Sequence, residues 1–178
     1  MSGPRLSSPA LDRMRTLALL EWLNALVIFP VAAWVWHMPV TGANLTGFAL
    51  LALILVEGGA YWWLKYRHLR MGRQLPAGLT VFRYLRTANV ALLAAGAAVI
   101  GAGFAIGGPW THVWPGAGLW AFALLEHINY FHIQLSHDTR ADITRLLRTR
   151  RLHRSHLARD LERLSTTRAP DAASLPGR

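Results

Sequence analysis

Four long apolar runs alternate with short polar or charged connections along the chain. The runs cover 17–36, 45–64, 88–106 and 117–135. Each holds about 20 residues, which at ~1.5 Å per residue matches a hydrocarbon core ~30 Å thick. Because a soluble domain rarely contains four such runs, the pattern predicts an all-α, polytopic membrane protein. Its core would be a bundle of four transmembrane helices within residues 17–136.

Polar segments flank the predicted bundle. Residues 1–16 form a short cytosolic lead, and residues 137–178 form a tail in which ten arginines accompany five acidic residues. Apolar residues of the tail share one helical face, which predicts a basic cytosolic helix; they are Ile143, Leu147, Leu157, Leu161 and Leu164. Cations beside a membrane gain about 1 kcal/mol each from anionic lipid, so we expect the tail to bind anionic lipid of the inner leaflet. No aromatic stacking platform accompanies this charge, so nucleic acid is not an expected partner.

The distribution of cations predicts the orientation of the bundle. All 19 Lys and Arg lie in the N-terminal segment, in the connection between the second and third runs, or in the tail. The connections 37–44 and 107–116 contain none. The positive-inside rule therefore places both termini in the cytoplasm. Arginine outnumbers lysine 18 to 1, a bias that we associate with GC-rich bacterial genomes, so we expect a multi-pass protein of a bacterial plasma membrane.

Polar residues inside the second and fourth runs follow the same spacing. Glutamate, tyrosine, a third polar residue and histidine lie 0, 4, 8 and 11 positions along one helical face. The second run has Glu57, Tyr61, Lys65 and His68; the fourth, 69 positions later, has Glu126, Tyr130, Gln134 and His137. Because both runs would cross in the same direction, the spacing favours a parallel repeat of two helices plus two.

These polar residues are too costly in a membrane to be incidental. A charged side chain at mid-membrane costs roughly 2.5–3.5 kcal/mol, and Glu57 would lie ~12 Å inside Lys65. We therefore predict a polar pocket that opens to the cytosol. Its candidate acid–base residues are Glu57, Glu126, His127 and His132. Its candidate lining residues are Glu21, Asn24, Tyr61, Lys65, Asn89, Tyr130 and Gln134. The alternative is that these residues only bond neighbouring helices, at about 0.6 kcal/mol each.

The residue types argue against a bound cofactor or metal. Haem with two axial histidines needs His on two helices, and only the fourth run has His within the membrane. A di-metal bundle uses Glu-x-x-His, whereas Glu21 and Glu126 are each followed three residues later by asparagine. The lack of cysteine excludes disulfides, thiolate ligands and cysteine nucleophiles. We expect neither a cofactor nor a metal.

Three functions fit this pattern, and the sequence leaves open whether the protein is an enzyme. The first is a membrane enzyme or binding protein for a lipid or isoprenoid-like molecule. The second is a proton-linked carrier of small molecules that works as a homodimer, and the third is an accessory membrane subunit without catalysis. The small residues of the third run, with Gly103 and Gly107 in a GxxxG pair, predict either the packed centre of the bundle or a dimer face.

Overall fold

The computed structural model describes residues 8–72, 78–133 and 155–163. Their helices, in chain order, are α1 (Ser8–Leu23), a π-helical turn (Asn24–Ile28), α2 (Phe29–Val35), α3 (Gly42–Arg70), α4 (Leu79–Ile106), a 3₁₀ turn (Trp110–His112), α5 (Trp114–Phe131) and α6 (156–163). None of the described residues forms a β-strand, so the prediction of an all-α protein is confirmed. Of the predicted tail helix, Leu157 and Leu161 fall on α6, whereas Ile143, Leu147 and Leu164 lie outside the described residues.

Among the described residues, three helical segments are long and apolar enough to cross a membrane. They are Pro9–Val35, Gly42–Arg70 and Leu79–Ile106; they contain the second and third predicted runs and all of the first run except its last residue. The fourth run falls on α5, which has 18 residues and carries several of the polar candidates. The protein is therefore a helical membrane protein, and the fourth crossing stays a prediction.

The first crossing contains a local widening of the helix before Pro30. Proline has no N–H to donate to the helix, and its ring crowds the preceding turn. Here the N–H of Phe29 bonds the carbonyl of Asn24, five residues earlier, so the chain passes through a π turn and continues as α2. The first crossing therefore stays helical from Pro9 to Val35.

Helix α3 is the centre of the bundle. Within its most apolar stretch 56% of the residues are buried, against 22% in α4. Successive residues of α3 face different helices: Glu57 bonds Asn89 of α4, while a side chain at Gly58 or Gly59 would strike Tyr130 of α5 or Trp22 of α1. The packed centre is thus α3, and the prediction of a central α4 is wrong. The alternative prediction, a dimer face that includes Gly103 and Gly107, is not tested.

Helices α3 and α5 cross at two glycines, Gly47 and Gly116. A Cβ atom on Gly47 would strike the carbonyl of Gly116, and one on Gly116 would strike the carbonyl of Ala43. The crossing is therefore a backbone contact that only glycine permits. The two glycines are 69 positions apart, like the paired glutamates and tyrosines. Because Gly58 meets Tyr130 further along, the helices run parallel, as a two-plus-two repeat requires.

At one end of the bundle, the connections that lead into α3 and α5 contain no Lys, Arg, Asp or Glu; we call it the uncharged end. The fully buried side chain of Asn44 joins the segments of the uncharged end through hydrogen bonds. Its Nδ2 donates to the carbonyls of Pro39 and Thr111, both at 2.9 Å, and its Oδ1 accepts from the N–H of Gly116 at 2.8 Å. All the hydrogen-bonding groups of this side chain are used, so Asn44 has a structural role.

The opposite end carries all the Lys and Arg of the described residues, and we call it the basic end. The rings of Trp22 and Trp63 lie 5.8 Å apart, and those of Tyr61 and Phe82 lie 5.9 Å apart. These contacts place the last turn of α1 and the first turn of α4 beside the second half of α3. The cations that gather there are Arg13, Arg15, Lys65, Arg67, Arg70, Arg83, Arg86, Arg159 and Arg163.

Candidate functional site

The predicted site residues form three groups near the basic end. The amide–acid bridge joins Glu57 to Asn89, and the acid pair is Glu21 with Glu126. The third group, the Asp160 clamp, consists of Tyr61, Lys65 and Asp160. Each group lies between a different pair of helices.

The amide–acid bridge connects α3 to α4. The Nδ2 of Asn89 donates to Glu57 Oε2 at 2.6 Å, and both residues are buried, with 1% of Asn89 and 8% of Glu57 exposed. No described residue bonds the second carboxylate oxygen of Glu57, Oε1, or the carbonyl oxygen of Asn89. The bridge thus retains two unused acceptors inside the bundle.

The acid pair lies between α1 and α5. Glu21 and Glu126 are close enough for their charges to repel. The hydroxyl of Tyr130 lies beside the Glu21 carboxyl and interacts with it, but the two groups do not reach the geometry of a full hydrogen bond. Asn129 donates to Glu126 Oε2 at 3.3 Å from the same helix. Two acidic groups and a phenol therefore come together with little bonding among them.

His127 is the most isolated of the candidate acid–base residues. Only 2% of it is exposed, and neither ring nitrogen has a hydrogen-bond partner among the described residues. Its ring centroid lies 4.9 Å from that of Phe131 and 5.6 Å from that of His132. His132 itself is exposed at the end of α5. His127 is therefore a buried imidazole whose nitrogens remain available.

The Asp160 clamp joins α6 to α3. The hydroxyl of Tyr61 and the ammonium of Lys65 both donate to Asp160 Oδ2 at 2.7 Å, and Lys65 also donates to the Tyr61 oxygen at 2.9 Å. Asp160 is buried, and Leu157, one turn earlier, belongs to the hydrophobic core. Tyr61 and Lys65, predicted to line a pocket, are thus bound by a residue of the tail.

Ser155 fixes the other end of α6 to α5. Its hydroxyl donates to the carbonyl of Tyr130, and its N–H donates to the carbonyl of His132 at 3.2 Å. The same hydroxyl accepts from the N–H of Ala158 at 3.0 Å, which caps α6. The docking of α6 on the bundle was missed by sequence reasoning, although Ser155 is a typical cap and the two leucines of α6 lie on one face.

His156 packs between α6 and α3. Its ring lies edge-on to Trp62, with centroids 5.5 Å apart. Burial lowers the pKa of His156 to about 4, and the charges of Lys65, Arg159 and Arg13 act in the same direction against the weaker pull of Asp160. The docked imidazole is therefore neutral at physiological pH.

The remaining candidates add little to the site. Asn24 begins the π turn, where its carbonyl accepts from Phe29, and Gln134 lies outside the described residues. Within the described ranges no three His, Cys, Asp or Glu side chains come together as metal ligands. Glu57 and Glu126 lie in separate helix interfaces.

No protein-family model, curated protein or solved structure matches this chain. The class that the fold defines is a helical membrane protein with three helices suited to span a bilayer. Its function must be inferred from the site itself.

Proposed function

We propose that the chain is a four-span protein of a bacterial plasma membrane, with both termini in the cytoplasm. It binds a lipid or isoprenoid-like molecule at a polar intramembrane site that opens to the cytosolic side, either as a binding protein or as a membrane enzyme. The observation that carries the proposal is a set of buried polar atoms without a described partner. They are Glu57 Oε1, Asn89 Oδ1, both ring nitrogens of His127 and the hydroxyl of Tyr130.

The energy of these atoms supports a ligand site over simple helix bonding. A buried donor or acceptor without a partner costs about 1–3 kcal/mol. A residue kept only to join helices would use its hydrogen-bonding groups, as Asn44 does at the uncharged end. Residues that are retained at a cost to stability are typical of functional sites.

The chemistry available is proton transfer without a cofactor. A neutral imidazole has one nitrogen that accepts and one that donates, so His127 can move a proton when a substrate group comes within reach. Tyr130 offers a hydroxyl donor, and the Glu57 carboxyl offers an acceptor from the opposite helix. Isomerisation, hydration or cyclisation of an unsaturated chain needs only such groups.

The arrangement of α5 supports its role as the fourth span. It runs parallel to α3, with Gly116 beside Gly47 at one end and Tyr130 beside Gly58 at the other. It therefore covers the same depth as much of α3. The basic end, which collects the cations, is the cytosolic side by the positive-inside rule.

The orientation can be tested directly because the natural chain has no cysteine. Val40 is 84% exposed at the uncharged end, and Met71 is exposed at the basic end. We expect a membrane-impermeant maleimide to label Val40→Cys, and not Met71→Cys, in intact spheroplasts. The reverse pattern would overturn the orientation.

The acid pair favours a second function, a proton-linked carrier that works as a homodimer. Glu21 and Glu126 repel each other in a partly buried interface, so a proton or a small cation bound between them would relieve the repulsion. The carrier function is tested by measuring the uptake of small molecules into proteoliposomes. We expect uptake to depend on an imposed pH gradient and to be lost in Glu126→Gln. An accessory subunit predicts neither flux nor a bound lipid.

The principal experiment compares His127→Leu with the parent and with His112→Leu, an exposed histidine at the uncharged end. Each protein is purified in mild detergent, and the bound lipid is identified and counted by native mass spectrometry. We expect the parent and His112→Leu to retain the same lipid in equal amounts. His127→Leu should retain at least ten-fold less of this lipid, and its melting temperature should equal or exceed that of the parent. Equal retention by all three proteins, or a large fall in the melting temperature of His127→Leu, would sink the proposal.

A further inference from the structure

Helix α6 contacts both α3 and α5, the two helices that the repeat relates, on the side of the proposed site nearer the basic end. Asp160 bonds the side chain of Tyr61 on α3, and Ser155 bonds the backbone of Tyr130 on α5. Tyr61 follows Glu57 by four residues, and Tyr130 follows Glu126 by the same number. Each pair is therefore separated by ~6 Å along its helix axis. The Asp160 clamp is therefore about one helical turn from Glu57, and the bond of Ser155 is about one turn from Glu126.

The clamp has the chemistry of an anion site. Two donors from α3, the Tyr61 hydroxyl and the Lys65 ammonium, converge on one oxygen of Asp160. Tyr61 is 1% exposed and the Lys65 side chain 12%, so the donors are held in place by packing. Arg159 and Arg163 act on Lys65 only while α6 is docked, so the site that α6 leaves behind consists of the two donors of α3.

Departure of α6 would leave these donors without an anion. A buried charge that loses its partner is strongly destabilising, so Lys65 requires a replacement counter-charge whenever Asp160 withdraws. Hydrogen bonds from an ammonium to phosphate are charge-assisted and strong. The neighbouring Trp62, Trp63 and Tyr66 are residue types that lie at the level of lipid headgroups. A lipid phosphate therefore has both the charge and the depth that the site requires.

We propose that Tyr61 and Lys65 form a subsite for the phosphate of an anionic lipid or isoprenoid headgroup, and that Asp160 occupies this subsite when α6 is docked. The inference rests on the proposed function, because it identifies where the headgroup of the same ligand binds. Binding of the phosphate exchanges one anion for another and releases α6. The apolar part of the ligand then extends along the bundle toward His127 and Tyr130.

The exchange can be followed at Leu157, which is 2% exposed and lies in the core contact of α6. In the cysteine-free chain, Leu157→Cys reports undocking through its rate of maleimide labelling, and the exposed Arg159→Cys is the matched control. The added probes are dioctanoyl phosphatidic acid, dioctanoyl phosphatidylcholine and inorganic phosphate. We expect phosphatidic acid to speed labelling of Leu157→Cys at least ten-fold, with no effect of phosphatidylcholine and no change in Arg159→Cys.

Affinity supplies a second measurement that does not depend on the labelled variant. Asp160→Asn keeps the size and the acceptor oxygen of the side chain but removes the competing charge. It should bind phosphatidic acid at least ten-fold more tightly than the parent, and Lys65→Met should lose saturable binding. If inorganic phosphate releases α6 as well as phosphatidic acid does, the subsite stands and its ligand is a soluble phosphate ester.

The subsite is overturned if neither phosphate probe speeds labelling, or if Asp160→Asn binds phosphatidic acid no better than the parent. Should Lys65→Met not fold, the affinity of Asp160→Asn decides alone. The two proposals can fail separately. If a lipid copurifies in a way that depends on His127, but the labelling rate and the affinity of Asp160→Asn do not change, the subsite is refuted and the proposed function remains. Loss of the His127 dependence would refute the proposed function itself.

Discussion

Replacement of Glu57 by glutamine tests whether the amide–acid bridge is retained for function. Glutamine has nearly the same size, and its carbonyl oxygen can accept the bond that Asn89 now donates at 2.6 Å. The variant removes the charge and leaves the contact between α3 and α4 in place. Any change in stability therefore reports the cost of the carboxylate.

The magnitude follows from two opposing terms. A hydrogen bond to a charged group contributes about 1.5–3 kcal/mol and a neutral one about 0.5–1.5, so the variant loses roughly 1 kcal/mol. A charged side chain at mid-membrane costs about 2.5–3.5 kcal/mol, which the variant avoids. The net gain is about 1.5–2.5 kcal/mol, or a rise of about 3–10 °C in the melting temperature for a chain of this size.

The assay is thermal unfolding in nanodiscs, followed by the fluorescence of the eight tryptophans. Asn89→Leu is the matched control, because it removes the donor and leaves the Glu57 carboxyl in the same interface. It should lower the free energy of unfolding by about 1–3 kcal/mol. If Glu57→Gln loses as much stability as Asn89→Leu, the bridge is a structural bond between helices and the reasoning is refuted.

Three further outcomes follow from the contacts. In Gly116→Ala the new methyl strikes the carbonyl of Ala43, so the variant should not yield a folded monodisperse protein by size-exclusion chromatography, whereas Gly118→Ala, with open space around it, should behave like the parent. Asn44→Ala removes the bonds to the carbonyl of Thr111 and the N–H of Gly116, and leaves the carbonyl of Pro39 with its bond from Thr41 alone; it should cost about 2–4 kcal/mol in thermal unfolding, and a loss below 1 kcal/mol would contradict this. The pKa of His156 is lowered by docking to about 4, so docking of α6 is fully stable above about pH 6.5 and weakens as the pH falls toward 4. Hydrogen exchange of 155–163 should therefore quicken over that range, after correction for intrinsic rates, in the parent and not in His156→Phe.

Run length predicted the order of the long helices and three of the four expected crossings, but not where the helices end. Helix α4 begins at Leu79 and α3 ends at Arg70, several residues outside the apolar runs 88–106 and 45–64. Hydropathy marks only the part suited to lipid, whereas the helices continue into the basic end, where contacts such as that between Tyr61 and Phe82 hold them together. The small residues of α4 did not distinguish the packed centre of the bundle from a dimer face, because both kinds of contact use the same small residue types.

The spacing of polar residues identified the right helix faces and missed their partners. Glu57 and Glu126 occupy equivalent positions, but one meets Asn89 of α4 and the other lies beside Glu21 of α1. Which neighbour a face meets depends on how the helices are arranged around α3, and this is a property of the whole bundle. Asp160 was beyond such reasoning, since it is 99 positions from Tyr61 in an arginine-rich segment with no periodic link to α3.

The glycine crossing at the uncharged end acts as a fulcrum. Asn44 and the backbone contact of Gly47 with Gly116 join the two helices there, so we expect α3 and α5 to rotate about that point when α6 is released. Glu57 is ten residues from Gly47, a lever arm of ~15 Å, and Tyr61 is ~21 Å away. A rotation of about 10° would therefore shift Glu57 by about 2.6 Å and Tyr61 by about 3.7 Å, while the uncharged end hardly moves. A rotation about this point would therefore separate the two helices at the basic end only.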